Sequence, residues 1–516
     1  MRFWRWLDAA LVLAMAVWTG FAWVAPGGVP GAGFAPVALA TDVLVFLLLA
    51  AALGFARYAR SRTHLAAPWR RVLQSKPGMA ALVVLAPYLG IGLLDTIHYR
   101  PLLEVRDDRA IYAVDTSSVL DRVLQRLRTS TERTYSEPLA TRAFQKEITV
   151  RPDGTQVREF PRLRHGGAHL ADESDRLPDI RRRALSGIAL GLLVWCALAA
   201  LAIWGIARHR KTTWPAAARL AWRGDSDVPW KVIGATAGAL LLIAFPVAML
   251  AGPYHVLGTD KVGQDVLYLS LKSVRTALVI GTLTTLVTLP FGVLLGIMAG
   301  YFRGWIDDVI QYVYTTLNSI PAVLLIAAAV LMMQVYIDTH PELFSTTAER
   351  ADLRLLFLCL ILGITSWTGL CRLLRGEALK LRELEYIQAA HAFGVSDLRI
   401  IVRHILPNVM HIVLISLVMD FSGLVLAEAV LSYVGVGVDP AMISFGTMIN
   451  AARLEMARDP MVWWSLLAAF VFMFFLVLAA NLFADAVRDA FDPRASLQLS
   501  QRFLAARLAA RAGHGS

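Results

Sequence analysis

An all-α polytopic membrane protein of about ten transmembrane helices, with one small extracytoplasmic α+β insertion, is what this 516-residue chain predicts. Three observations carry the prediction. Hydrophobic residues make up 57% of the chain and charged residues 17%, the balance of a membrane protein. Apolar runs of roughly 20 residues, the length of a helical bilayer crossing, recur along it. Arginine and lysine gather in the short connections between those runs, as cytoplasmic connections require. That placement explains the net charge of +11 without a nucleic-acid partner. The three cysteines, Cys196, Cys359 and Cys371, stand in or beside apolar segments with neither disulfide nor metal-site spacing, which predicts buried apolar roles.

The N-terminal part, 1–97, begins with a basic aromatic start, Met1 to Trp6, and an apolar run from Leu7 to Val24. No small-x-small cleavage site follows, so an uncleaved first span is favoured over a signal peptide. Pro26 to Pro36 reads as a Gly/Pro turn, Asp42 to Ala56 as a second span and Gly78 to Ile97 as a third. Between them Arg57, Arg60, Arg62, Arg70, Arg71 and Lys76 mark a cytoplasmic connection.

Residues 98–184 turn polar, and span parity places them outside the cytoplasm. Ser118 and Asp121 form a capping box ahead of Val119, Leu120, Val123, Leu124 and Leu127, an amphipathic helix. Phe144 to Val150 and Gln156 to Phe160 flank Pro152-Asp153-Gly154, a hairpin signal. These signals support a small α+β domain; a disordered loop is the alternative. The segment 185–229 holds a fourth span, Leu185 to Ala207, then a basic connection with Arg208, Arg210, Lys211, Arg219 and Arg223.

Six further spans fill 230–494: Trp230 to Leu250, Leu278 to Ala299, Val309 to Met333, Leu355 to Leu370, Val409 to Val434, and Val462 to Phe483. An even total puts both termini in the cytoplasm. In the tail, 495–516, Leu497, Leu499, Phe503, Leu504 and Leu508 with Arg502, Arg507 and Arg511 suggest a basic amphipathic helix on the membrane, or else a frayed end.

The chain is organised around the polar loop 377–407, which must lie outside the bilayer. Leu381, Leu384, Ile387 and Ala390 recur every three residues and predict one apolar helix face, while Glu383, Glu385 and Gln388 point elsewhere. Gly394 is placed to end that helix, Ser396 and Asp397 to cap the next, and Pro407 to stop it. A short amphipathic helix of this kind suits docking in a partner's groove.

Glu385-Tyr386-Ile387-Gln388-Ala389-Ala390, Gly394 and Arg403-His404-Ile405-Leu406-Pro407-Asn408 resemble the EAA loop of ABC-importer permeases, in the dipeptide/oligopeptide/nickel branch. Gln388 stands where the motif has glutamate, and His404 where it usually has isoleucine. Four further stretches fit the same branch in order: His255 to Asp265 with Gly258, Thr259, Asp260, Gly263 and Asp265 (Gln264 replaces the usual arginine), Gly300 to Asp308, Leu431 to Gly437, and Arg488 to Arg494. The likeness covers about Trp230 to Arg494, so the four preceding spans are additional to a six-helix core.

The resemblance implies a multi-pass permease of the bacterial inner membrane, forming half of a translocation pathway for peptides. It implies a second related permease, two cytoplasmic ATPase subunits and an extracytoplasmic substrate-binding protein as partners. Glu377, Glu383, Glu385, Tyr386, Gln388, Ala389, Ala390, Gly394, Asp397, Arg403 and Pro407 would form the ATPase-coupling loop. No phosphate-loop motif occurs, so ATP and magnesium are expected on the partners and no cofactor or metal in this chain. Asp420 and Glu428, eight apart in one span, are candidates for the translocation path or the permease interface, or for hydrogen bonds to a neighbouring helix. Nickel or another small solute is an alternative cargo, and a membrane sensor or scaffold built on residues 98–183 an alternative class. An intramembrane enzyme is disfavoured, because neither H-E-x-x-H nor G-x-S-x-G occurs and Asp420 has no intramembrane aspartate to pair with.

Overall fold

The computed structural model describes residues 15, 18–20, 33–61, 63–106, 109–150, 156–223, 228–343 and 346–491. The expected first span lies almost wholly outside the described residues, and the tail lies outside them entirely. Among the described residues nine helices or near-continuous helical runs are long and apolar enough to cross a membrane.

The N-terminal part supplies β1 (Phe34–Val37), α1 (Ala40–Ser61), α2 (Thr63–Gln74) and α3 (Lys76–Thr96). The expected turn ending at Pro36 thus contains a strand; β1 is an edge, where a residue without an N–H is tolerated. It pairs antiparallel with β2 (His98–Arg106), Val37 opposite His98, and β2 also carries β3 (Arg109–Tyr112) and β4 (Ser117–Ser118). The capping box forms as expected: Ser118 Oγ accepts from the Asp121 amide at 3.1 Å and Asp121 accepts from the Ser118 amide at 2.8 Å. It opens two short helices, α4 (Val119–Val123) and α5 (Gln125–Thr129), rather than one. The strands β5 (Glu147–Val150) and β6 (Gln156–Glu159) pair as the hairpin signal predicts; its turn, 151–155, lies outside the described residues.

Then follow α6 (Arg176–Arg210), α7 (Trp214–Arg223) and α8 (Trp230–Ala251). Helices α6 and α8 pack together through small residues: a Cβ at Gly187 would come within 2.6 Å of Pro246, so the backbones meet closely. Cys196 is exposed, against expectation, while Cys359 and Cys371 are buried; it stands in one of the least buried spans among the described residues.

The centre is α9 (Val266–Phe302), on which α3 and four later helices pack: α10 (Gly304–Ser319), α12 (Thr347–Ser366), α13 (Thr368–Arg382) and α16 (Leu406–Val434). Between α10 and α12 lies α11 (Ala322–Thr339). The single span expected over Val309 to Met333 is therefore corrected to two helices. Ile320 is extended at φ −91°, ψ 131°, the conformation a following proline favours, and Pro321 offers no N–H to continue the ladder. The pair α9/α13 packs backbone to backbone: Cβ atoms at Gly296 and Gly300 would come 2.7 and 2.6 Å from α13 backbone oxygens. That contact fixes the end of α13, where the polar loop begins. After the loop come α14 (Glu385–Ala392), α15 (Asp397–Ile400), α16, α17 (Phe445–Glu455) and α18 (Trp464–Phe491).

The N-terminal spans are tied into this core. Helix α3 lies against α18, α9 and α8, and Trp69 of α2 meets Phe491 edge-on at 5.6 Å. Nearer the insertion, Arg275 of α9 donates to Asp42 at 2.6 Å and lies 3.7 Å from Asp352; His98 meets Asp42 at 2.8 Å. Beside it, Lys272 reaches Asp95 at 2.7 Å and Asp121 at 2.8 Å.

Candidate functional site

The stretch from His255 to Asp265 is a folded clip. Gly258 and Gly263 take φ of +73° and +76°, where a side chain would be strained. Asp260 Oδ1 accepts from the amides of Val262 and Gln264 at 3.0 and 2.8 Å, and Asp265 Oδ1 caps α9 through the Leu267 amide at 2.9 Å. Thr259 Oγ1 donates to Thr134 O at 2.9 Å and accepts from the Ser136 amide at 2.7 Å. His255 stands between Asp265 (2.7 Å) and Glu132 (3.4 Å), and Glu132 also accepts from the amides of Arg164, His165 and Gly166. The clip therefore fastens the insertion to the start of α9. Burial opposes charging His255, but the hydrogen bonds and charges of Asp265 and Glu132 outweigh it and raise its pKa to about 9.

The polar loop is built on the end of α13. Glu377 lies within that helix and pairs with Lys380 at 3.2 Å on the surface. Helix α13 ends at Arg382, and Leu384 takes an extended conformation before α14. The continuous face expected over Leu381, Leu384, Ile387 and Ala390 is therefore split: Leu381, Ile387 and Ala390 pack beside Ile297, Tyr301, Ile400 and Ile405, while Leu384 is exposed. The break turns α14 off the α13 axis, which one long helix could not do.

Gly394 closes α14 at φ +76°. The Gly394 amide donates to His391 O at 3.0 Å and the Val395 amide to Ala390 O at 3.1 Å, the paired bonds of a Schellman end. Ser396 holds the capping position of α15, but its side chain makes no capping bond; Asp397 instead accepts from Tyr301 Oη at 2.7 Å. Pro407 does not stop a helix. It lies in the first turn of α16, reached from α15 through a π-helical segment, Ile401–Ile405. The widened turn accommodates a residue lacking an N–H inside a near-continuous helix.

Several bonds hold the start of the loop and the α13 helix that leads into it to the end of α9 and the start of α10. Arg303 pairs with Glu383, Arg382 donates to Tyr301 O at 2.6 Å, and Arg375 grips Asp307 with two bonds at 2.6 and 2.7 Å. Hydrogen bonding from Arg375 outweighs burial and holds the Asp307 carboxyl below the usual carboxylate range. On the outward face Glu383, Glu385, Gln388, Ala389 and Arg403 are exposed. Among them stand large apolar side chains open to solvent: Phe393 at 87%, Leu398 at 72% and Val402 at 54%. Tyr386 is also exposed, its hydroxyl accepting from Asn408 at 3.0 Å. Sequence reasoning missed the patch and the Arg375–Asp307 clamp. Phe393 and Leu398, flanking the Gly394 turn, were the available signal, since a turn exposes its neighbours.

Glu428 is buried and accepts from Ser432 at 2.7 Å and Ser444 at 2.9 Å. Asp420, two turns earlier, is half-buried. The two are not brought together.

The model of the family described as "Binding-protein-dependent transport system inner membrane component" matches residues 292–497. The oligopeptide transport system permease protein OppC of Mycobacterium tuberculosis is 34% identical over 242 residues, 47% of this chain and 77% of that protein. The chain belongs to this permease family. The glutathione transport system permease protein GsiD of Pectobacterium atrosepticum is also 34% identical, over 46% of this chain and 73% of that one. The dipeptide permease DppC of Lactococcus lactis is 29% identical, over 47% and 64%. One solved structure, the inward-facing MetNI methionine ABC transporter, aligns at 15% identity and a TM-score of 0.34 over 44% of this chain and 98% of that one, too low to inform the fold. As a permease of this family, the chain is a membrane-spanning, multi-pass subunit of an ABC importer, which works with an ATPase and a substrate-binding protein.

Proposed function

We propose that this permease forms half of a translocation path for peptides and takes its driving motion from ATPases docked on the loop 377–407. The observation that carries the coupling role is the patch of Phe393, Leu398 and Val402, held in a polar surround on a loop clamped to α9 and α10. Large exposed apolar side chains on a loop that also exposes Glu383, Glu385 and Gln388 make a protein-docking surface. The bidentate Arg375–Asp307 pair fixes α13, from which the loop springs, to α10, so the loop moves with these helices.

The names of the relatives, oligopeptide, glutathione and dipeptide permeases, support peptides as cargo. The full complex is then a second related permease, two ATPases carrying ATP and magnesium, and an extracytoplasmic binding protein. Residues 230–494 form the permease core, 1–97 and 185–229 the additional spans, and 98–184 an extracytoplasmic domain. The basic connections support cytoplasmic termini and a cytoplasmic loop in a bacterial inner membrane. Half-buried Asp420 suits the path, whereas Glu428, satisfied by Ser432 and Ser444, suits helix packing.

The test is co-purification with the ATPases. A Cβ at Gly394 meets no atom within 4 Å, so Gly394→Val costs only backbone strain of about 1–3 kcal/mol and the protein should insert normally. It should nonetheless lose ATPase association, as should Ala389→Glu on the exposed face of α14. Gly154→Val in the insertion should not. Wild-type ATPase binding and transport by Gly394→Val at equal expression would overturn the docking role.

A further inference from the structure

The segment joining α6 to α8 serves no step of the transport reading, yet it has a composed surface of its own. The spans containing α6 and α8 are 11% and 6% buried, the least of the nine among the described residues. They pack on each other, forming a peripheral hairpin whose ends at α7 lie at one face of the membrane. Lys211, at φ +52°, ends α6 in a left-handed conformation, and the Thr212 amide donates back to Ala207 O at 3.0 Å. The chain thereby leaves the α6 axis. Helix α7 has 10 residues, about 15 Å, too short to cross a bilayer.

Its sides differ sharply. Ala217 is fully buried against the hairpin, while Trp214 and Trp222 are 47% and 71% exposed. Arg208, Arg210, Lys211, Arg219 and Lys231, in the same stretch of chain, are exposed as well. Two of the cations rest on indole faces: Arg208 at 5.4 Å from Trp204 and Lys231 at 5.9 Å from Trp222. Among the described residues none of the five meets a carboxylate. Asp225 and Asp227 follow in the sequence, outside the described residues, leaving the stretch 208–231 basic on balance.

Indole rings settle at the headgroup level, and arginine and lysine beside them meet phosphate there. We infer that α7 and the adjoining ends of α6 and α8 bind the phosphate headgroups of anionic phospholipids, anchoring the hairpin in one leaflet. The occupant is a lipid rather than a protein because the tryptophans sit where the two least buried spans end, and because among the described residues the cations meet no carboxylate.

The experiment uses the full-length protein reconstituted in phosphatidylcholine vesicles with traces of spin-labelled phosphatidylglycerol or phosphatidylcholine. The motionally restricted fraction should favour the anionic lipid by about threefold, and high salt should weaken the preference. Replacing Arg208, Arg210, Lys211 and Arg219 together with glutamine should abolish it. The control Arg181→Gln/Arg182→Gln, at the opposite end of α6, should keep it. Millimolar inorganic phosphate should not compete. Equal preference in the quadruple variant, no preference in the wild type, or displacement by free phosphate would each overturn the assignment.

Discussion

His255 shows how one buried side chain fastens two parts of this protein. Its pKa is raised from 6.5 to about 9. Stabilisation from its charge is therefore fully present below 6.5 and is lost as pH rises through 9. For Glu132, burial alone would raise the pKa. The His255 bond and three backbone amides outweigh that and lower it from 4.5 to about 2, so its contribution is present above 4.5 and lost as pH falls through 2. The clip should hold best from about pH 4.5 to 6.5 and loosen in alkali. Limited proteolysis between Arg133 and Arg164 should accelerate as pH passes 9 in the wild type. In His255→Gln cleavage should already be fast at neutral pH, with little further rise. A wild-type rate independent of pH from 6 to 10 would contradict this. The His255 to Asp265 signature was legible in sequence, but the clip was not, because its partner Glu132 stands 123 residues away.

At the scale of elements, the loop was largely legible and the joints were not. Gly394 predicted the left-handed turn because glycine is the residue that adopts it without strain. The break at Glu383–Leu384 escaped the pattern because apolar residues spaced by three continue across it. Pro407 misled for a related reason: a proline rule assumes an ordinary helix, and the π segment at Ile401–Ile405 relaxes that assumption. The Arg375–Asp307 clamp makes a second prediction. Asp307→Asn keeps the shape but loses the charge, so the loop should bind ATPase yet transmit its motion poorly. Transport per ATP hydrolysed should fall by about tenfold, a coupling loss of about 1.4 kcal/mol, measured in proteoliposomes. Unchanged stoichiometry would remove the clamp from the coupling route.

Across the whole molecule, hydropathy located the apolar helices because burial in lipid demands continuous apolar sequence, though it merged α10 and α11 into one span. It could not reveal which spans touch, and the charges that join them look like ordinary flanking residues. Arg275 is the clearest case, 5% exposed between Asp42 at 1% and Asp352 at 2%. Arg275→Met would leave two buried carboxylates without their cation, a loss of about 3–5 kcal/mol. It should lower the melting temperature and the yield of folded protein in detergent, while Arg303→Met on the surface should not. The additional N-terminal spans are on this view part of the permease's fold, since Asp42 and His98 complete a cluster that the core alone leaves open.

The coupling role of the loop underlies the functional reading, and photo-crosslinking tests it most directly. A benzoylphenylalanine placed at Phe393, 87% exposed on the loop, should form a covalent adduct with the ATPase in native membranes, and the yield should change when ATP is added. The same probe at Ile148 in the insertion, 68% exposed, should give none. Absence of an ATPase adduct at Phe393 in an assembled, transport-competent complex would contradict docking at this loop.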